Sequence, residues 1–156
     1  MNSYTSLQIG SLFLAIPGHE VAQISLSRDI QIESRIPYVT FQNQLIPVIS
    51  IDERFSTLRY GTPDIGAKYI VTLGFIDHTL RFQPRLALQV ESTFKSSIMV
   101  SGLVPQTMKK TKSPITGWFE DHLHNRGFLT HTAALEAFVN HATKVFSNEN
   151  HSSLAG

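Results

Sequence analysis

Cysteine is absent from this sequence of 156 residues. Its absence excludes a disulfide scaffold and any metal site built on thiolates, and it fits a protein of the reducing cytoplasm. An excess of one charge sign is also missing, because 13 Lys and Arg face 12 Asp and Glu, for a formal net charge of +1. Nucleic-acid binding depends on a strongly positive balance. Neither nucleic acid nor a membrane surface is therefore the expected partner.

The sequence also lacks an apolar run of the roughly 20 residues that a membrane-spanning helix needs. The apolar stretch from Ile9 to Ile16 could imitate the core of a signal peptide. However, the first basic residue is Arg28, which follows the stretch, and no small-x-small cleavage site is evident after it. We interpret the stretch as a strand and expect a cytoplasmic protein without an export signal.

What the sequence does contain is enough apolar matter for a core, since hydrophobic residues make up 42% of it. Short apolar or alternating segments separated by turn signals predict many strands. The predicted strands cover residues 7–9, 12–16, 38–41, 44–51, 69–75, 86–91, 98–100 and 128–129. Gly10 and Ser11, between the first two strands, are read as a hairpin turn. Residues 21–26 suit either a strand or a helical turn. This pattern indicates a mostly β fold of the barrel or paired-barrel type.

Several local features are predicted from single residue types. Gln42 and Asn43 suit a tight turn, because Asn tolerates positive φ. Pro47 cannot donate a ladder hydrogen bond and is expected at an edge or a bulge. Asp52 is expected to cap a short helix. The polar residues 28–35 are read as a loop, and residues 76–83 as a long hairpin connection.

The chain changes its apolar period near the end. Leu135, Phe138, Val139, Ala142, Val145 and Phe146 fall at helical spacing. They predict an α-helix over residues 132–146, packed on the strands, and so a single domain over residues 1–146. Residues 147–156 are polar or small and are predicted to form a flexible tail.

The order of the segments carries a family resemblance. The quoted stretches are Leu7-Gln8-Ile9-Gly10, Val21-Ala22-Gln23-Ile24, the run from Val39 to Ile51 with its Pro47-Val48, Leu86-Ala87-Leu88-Gln89-Val90 and Ile115-Thr116-Gly117. In this order and spacing they resemble the CheW family, the coupling proteins of bacterial chemotaxis, over nearly the whole chain.

The resemblance implies a fold of two SH3-like five-stranded β-barrels that share a core, with a C-terminal α-helix. It also implies a protein without catalytic activity or cofactor. Members of the family are adaptors that couple the regulatory domain of a CheA-type histidine kinase to the tips of chemoreceptors. By the same resemblance, the predicted partner-binding residues are Phe41, Gln42, Asn43, Leu45 and Val48.

The chain departs from the family pattern at this hairpin. Gln42 and Asn43 stand where the family has the arginine and glycine of its N-L-R-G turn, and Ser50 replaces the aspartate of P-V-x-D-L. The connection at residues 76–83 is longer than in the family. An alternative function is therefore a repurposed CheW-like binding module of a pilus-type or other signalling system, with a different partner.

For several residues that could bind a metal or a partner, more than one interpretation stays open. His122 and His124, with Glu120 and Asp121, suit either a metal site or a polar hairpin, and the hairpin is the preferred interpretation. Trp118-Phe119 suits either an exposed partner anchor or core packing, and core packing is the preferred interpretation. The cluster 109–112 (KKTK) is favoured as a solvated loop. No nucleophile elbow or phosphate-binding loop is present in the sequence, so enzyme activity has little support.

Overall fold

The computed structural model describes residues 3–63, 68–96, 98–104, 113–121 and 124–142. Strands dominate this part of the chain. They are β1 (Tyr4–Ile9), β2 (Leu12–Pro17), β3 (Val21–Leu26), β4 (Gln31–Glu33), β5 (Ile36–Phe41), β6 (Gln44–Ile51), β7 (Leu58–Tyr60), β8 (Tyr69–Ile76), β9 (Phe82–Val90), β10 (Ser92–Ser96), β11 (Ile98–Leu103), β12 (Gly117–Asp121) and β13 (Arg126–Leu129). Helix α1 covers residues 132–142, and short 3₁₀ turns cover Gly18–Glu20 and Ser27–Asp29.

The strands form two sheets. The first has the order β10-β1-β2-β13-β12-β11, and the second has the order β3-β8-β9-β6-β5-β4 with β7 paired to β6. Pairing is antiparallel except between β2 and β13 and between β6 and β9. Neither path closes into a hydrogen-bonded ring among the described residues, although the end strands β10 and β11 of the first sheet are separated only by residue 97. The mostly β fold in two halves is confirmed.

The two sheets share the main hydrophobic core. Leu7 and Leu14 of the first sheet, Val71 and Leu88 of the second, and Leu135 of α1 are all at most 1% exposed and belong to one cluster. Each sheet also has a smaller cluster of its own. The first sheet's cluster contains Ala15, Phe119 and Leu129, and the second sheet's contains Val39, Ile46, Val48, Ile70 and Ala87. A contiguous core of this kind makes the β scaffold rigid.

Helix α1 packs on this core as its apolar stripe predicts. Phe138 contacts Phe55 with ring centroids 5.9 Å apart, and Glu136 forms a two-pronged ion pair with Arg85 of β9 at 2.6 and 2.9 Å. At the start of the helix, the Thr132 N–H donates to Glu20 Oε1 at 2.7 Å. This carboxylate therefore binds one of the backbone N–H groups of the first turn, which have no acceptor within the helix. The predicted end of the helix at residue 146 and the tail 147–156 lie outside the described residues.

Polar contacts tie the β1–β2 turn to the residues that follow β6 and β9 of the second sheet. Gly10 has φ +58° and forms the predicted turn with Ser11. The Ser11 N–H and hydroxyl both donate to Glu53 Oε2 at 2.7 Å, and the Gly10 N–H donates to Glu91 Oε1 at 3.1 Å. The hydrogen bonds from Ser11, the backbone N–H first, lower the pKa of Glu53.

Asp52 caps a turn rather than the predicted helix. Its Oδ1 accepts from the Ser56 N–H at 2.7 Å and the Thr57 N–H at 2.8 Å, and the chain then enters β7. Desolvation raises the pKa of Asp52, but the hydrogen bonds from Ser56 and Thr57 outweigh it and lower the pKa to about 2. The predicted helix is wrong because Asp52 and its bonds to Ser56 and Thr57 close a tight turn that leads directly into a strand.

One other local prediction needs correction. Residues 28–35, read as a loop, contain β4, which pairs with β5. For Pro47, the strand β6 is flanked by β5 and β9, but Pro47 itself pairs only with Tyr38 of β5, because the pairing with β9 begins at Val48. Pro47 therefore has the local edge position that a proline needs, within an interior strand. Residues 21–26 form a strand, which settles that alternative.

Candidate partner-binding surface

The β5–β6 hairpin ends in the predicted tight turn. Phe41 pairs with Gln44, and the two residues between them, Gln42 and Asn43, have φ values of 48° and 63°. Positive φ at both central positions defines the type I′ turn that matches the twist of a two-residue hairpin. The prediction of a tight turn is confirmed, and both turn side chains are exposed.

The five predicted partner-binding residues do not share one environment. Gln42, Asn43 and Leu45 are exposed, with Leu45 at 45%, while Phe41 is partly buried. Val48 is fully buried at 0% and packs in the core of the second sheet. Val48 therefore has no side-chain surface to offer a partner, and it supports the hairpin only by packing.

A second hairpin lies beside the first. Strands β6 and β9 are parallel neighbours, with Val48 opposite Ala87 and Ile49 opposite Leu88, so both strands begin at the same end of the sheet. The rings of Phe41 and Phe82 meet edge to face, with centroids 6.1 Å apart and an interplanar angle of 69°. The turns after β5 and β8 therefore stand side by side at one end of the second sheet.

The β8–β9 turn is held together by Asp77. Its N–H donates to the Arg81 carbonyl at 2.9 Å, and its Oδ1 accepts from the N–H groups of Thr79 at 2.8 Å and Arg81 at 3.2 Å. Its Oδ2 accepts from Gln83 Nε2 at 3.0 Å. The Thr79 hydroxyl also donates to Asp77 Oδ1. This hydrogen bond foremost, together with the others, lowers the pKa of Asp77. The turn is thus ordered by its own polar groups.

Apolar side chains project from this second turn. Leu80 is 86% exposed and Ile76 is 55% exposed. We call the exposed residues of both turns, namely Gln42, Asn43, Leu45, Ile76 and Leu80, the hairpin-end surface. Sequence reasoning missed Ile76 and Leu80, because residues 76–83 were read as a long hairpin connection. That prediction is wrong, since β8 runs to Ile76, β9 begins at Phe82, and only the short turn of residues 77–81 lies between them. The available signal was a leucine inside a short polar turn, at a position where glycine or asparagine is usual.

The first sheet carries a separate exposed aromatic pair. Trp118 of β12 and Phe128 of β13 are direct cross-strand partners and are 45% and 40% exposed. Gly102 of β11 lies under the Trp118 ring, where a Cβ atom would clash with it. Phe119, the other member of the predicted anchor, is 3% exposed and packs in the core. The exposed position of Trp118 therefore fits a partner anchor, whereas Phe119 is a core residue.

The histidine cluster does not form a ligand set in the described part of the chain. His124 is exposed, and its Nδ1 lies 2.9 Å from Glu120 Oε1. Asp121 is engaged by Asn125, whose N–H and side-chain amide donate to its two oxygens at 2.8 and 3.0 Å. No three potential ligands of a metal come together among the residues described. His122 and the cluster 109–112 lie outside those residues.

Comparison with known proteins identifies the fold. No family model matches the sequence, and no curated protein matches it. Among solved structures, the crystal structure of the scaffolding protein TtCheW from Thermoanaerobacter tengcongensis is similar, with a TM-score of 0.56 at 13% identity. The match covers 83% of this chain and 88% of that one. The chain therefore has a CheW-like fold. No helix in the described ranges is long and apolar enough to cross a membrane.

Proposed function

We propose that this chain is a non-catalytic adaptor of chemotaxis-type signal transduction that couples a CheA-type histidine kinase to chemoreceptors. The observation that carries the proposal is the pair of ordered turns at one end of the second sheet of a CheW-like scaffold, at which Leu45, Ile76 and Leu80 are exposed. Exposed apolar side chains at ordered turns offer a partner apolar surface to bury.

The scaffold offers one surface on each sheet. The hairpin-end surface lies at the end of the second sheet, while Trp118 and Phe128 lie on the first. We assign the kinase regulatory domain to the hairpin-end surface and the chemoreceptor tip to the aromatic pair. Separate surfaces suit an adaptor because both partners can bind at once. Transient interfaces of this kind bury on the order of 1,000 Å² in total.

The proposal that the protein is not an enzyme is supported by how its carboxylates are used. Asp52, Asp77 and Asp121 each accept hydrogen bonds from the turn that immediately follows them. Glu20 accepts from the start of α1, and Glu136 pairs with Arg85. Carboxylates that accept hydrogen bonds from turns and from the start of a helix stabilise the fold. We place this adaptor in the bacterial cytoplasm, as one domain over residues 1–146 with a tail of 147–156.

The direct test is a calorimetric titration against the regulatory domain of the CheA-type kinase from the same organism. We expect saturable one-to-one binding, and we expect Leu45→Asp to weaken it by about tenfold or more, as burial of a charge in an apolar interface requires. The matched control is Leu103→Asp, because Leu103 is 66% exposed on the first sheet. Equal binding by Leu45→Asp and the wild type would remove the hairpin-end surface from the kinase interface.

A second candidate is the repurposed binding module of a pilus-type or other signalling system. It is favoured by Gln42 and Asn43, which stand at the exposed turn where the family has arginine and glycine. If the wild-type protein does not bind the chemotaxis kinase domain at high micromolar concentration, the same titration with the regulatory domain of a pilus-type kinase decides for this candidate. Gain of chemotaxis-kinase binding by Gln42→Arg would identify the residue responsible.

A further inference from the structure

The β8–β9 turn places a leucine in an unfavourable backbone conformation. The loop between Asp77 and Arg81 holds three residues, His78, Thr79 and Leu80, and Leu80 has φ +63°. Hairpins with three-residue loops commonly end in such a left-handed residue, which is normally glycine or asparagine because a larger side chain strains the backbone there. Evolution of the turn for stability alone would not place leucine at this position.

The strained backbone of Leu80 does not place its side chain against the rest of the protein. Leu80 is 86% exposed, the highest value among the large hydrophobic side chains of the described residues. The apolar surface of a leucine costs free energy in water, so this side chain is unfavourable both for its backbone and for its exposure. Strained residues of this kind concentrate at binding sites. The side chain therefore has its use in a contact with another molecule.

A positive charge flanks this leucine. Arg81 is exposed, and within the described part of the chain its side chain forms no salt bridge. The carboxylate of Asp77, in the same turn, accepts hydrogen bonds from the N–H groups of Thr79 and Arg81 and from the side chain of Gln83. A partner that receives Leu80 would meet the Arg81 guanidinium at the rim and would complement it with a carboxylate.

The turn is also built to hold Leu80 still. Asp77 ties both ends of the loop together, and the Phe82 ring covers Gly74 and meets Phe41 of the neighbouring hairpin. An ordered loop loses little conformational entropy when it binds, so a single side chain on it can act as an effective anchor.

We propose that Leu80 is a specificity-determining anchor that inserts into an apolar pocket rimmed by carboxylates on a folded partner domain, with Arg81 at the rim. The inference deepens the proposed function, because Leu80 belongs to the hairpin-end surface assigned to the kinase regulatory domain.

The test is Leu80→Gly, titrated by calorimetry against that kinase regulatory domain. Glycine removes the anchor and also relieves the left-handed strain, so the variant should bind about tenfold more weakly while its Tm stays at or above that of the wild type. Leu80→Asn, which tolerates positive φ without the extra chain entropy of glycine, should behave in the same way. The control, Leu103→Asn, removes a leucine of the first sheet that is 66% exposed and should bind as the wild type does.

The rim is tested with Arg81→Gln. This variant should weaken binding by a few fold at low salt and should show a shallower dependence of affinity on NaCl concentration than the wild type. An unchanged affinity and salt dependence for Arg81→Gln would contradict the acidic rim.

The outcomes separate this inference from the proposed function. A wild-type protein that does not bind the kinase domain overturns both. A wild-type protein that binds, with Leu80→Gly binding equally well, overturns only the anchor. Sedimentation of the protein alone and with vesicles of anionic lipid completes the test. If Leu80→Gly abolishes self-association or vesicle binding while kinase binding is unchanged, a second copy or a membrane replaces the kinase as the occupant.

Discussion

Gly74 joins the core of the second sheet to the hairpin-end surface, so Gly74→Ala should disturb both. A Cβ atom at this position would clash with the backbone carbonyl of Gln83 and would lie 2.6 and 2.8 Å from ring atoms of Phe82. The carbonyl belongs to the paired strand β9 at a point where the register shifts, so it cannot move without breaking the ladder. The Gly74 carbonyl also accepts a hydrogen bond of 3.3 Å from the Thr132 hydroxyl at the start of α1.

The expected cost follows from these two contacts. Overpacking of a filled site costs about 1–3 kcal/mol, and loss of the buried hydrogen bond costs roughly 1 kcal/mol more. We therefore expect the free energy of unfolding to fall by about 2–4 kcal/mol, and the Tm by roughly 5–15 °C for a chain of this size. Urea denaturation followed by circular dichroism measures the first quantity, and calorimetry measures the second.

The matched control is Gly18→Ala, where the added Cβ would meet its nearest atoms, both on Ser3, at 3.1 and 3.2 Å. Those contacts are tight but can relax, so the control should lose well under half as much stability. A Gly74→Ala protein within about 0.5 kcal/mol of the wild type, which is the usual range for a surface substitution, would refute the steric argument. It would also show that Phe82 moves freely and does not hold the neighbouring turn.

Three further predictions concern the scaffold. Leu135→Ala removes a side chain that is 1% exposed where α1 meets both sheets. The free energy of unfolding, measured by urea denaturation, should fall by about 2–5 kcal/mol. A fall of less than about 1 kcal/mol would contradict the shared core. Asp52 has a pKa of about 2 in the folded protein, below its ordinary 3.8, so its contribution to stability is complete above pH 3.8 and is lost as the pH falls towards 2. Asp52→Asn should therefore reduce the loss of stability between about pH 4 and pH 2 in a profile of unfolding free energy against pH. An unchanged profile over this range would argue against the hydrogen bonds of the turn. The half-exposed pair of Arg85 and Glu136 should show a coupling free energy of at most about 1 kcal/mol in a double-mutant cycle, reduced in 1 M NaCl, and a larger coupling that is insensitive to salt would refute solvent screening of this pair.

The hairpin over residues 36–51 was predicted in detail because its information is local. Gln42 and Asn43 carry the turn, and the apolar residues on either side carry the strands. The same holds for Gly10 and Ser11, and for the helical stripe around Leu135. In each case the chemistry of a few consecutive residues decides the conformation, and the structure confirms it.

Predictions failed where partners distant in sequence decide the outcome. The position of Pro47 depends on such partners, because β6 is an interior strand whose pairing with β9 begins only at Val48. Val48 was assigned to a binding surface by resemblance, but the second sheet folds around its side chain and buries it completely. Strand alternation alone does not reveal which face of a strand a second element will cover, since that depends on contacts between distant segments.

The sequence alone determined that this protein is mostly β with one C-terminal helix, because hydrophobic periodicity and turn residues act through positions that are close together in the chain. Only the tertiary structure decided which side chains meet at the surface. The parallel pairing of β6 with β9 brings the turns at residues 42–43 and 77–81 together, although more than thirty residues separate them. The placement of Leu80 beside the predicted hairpin follows from that pairing, because a contact between two turns is a property of the sheet order and is not encoded in either turn by itself.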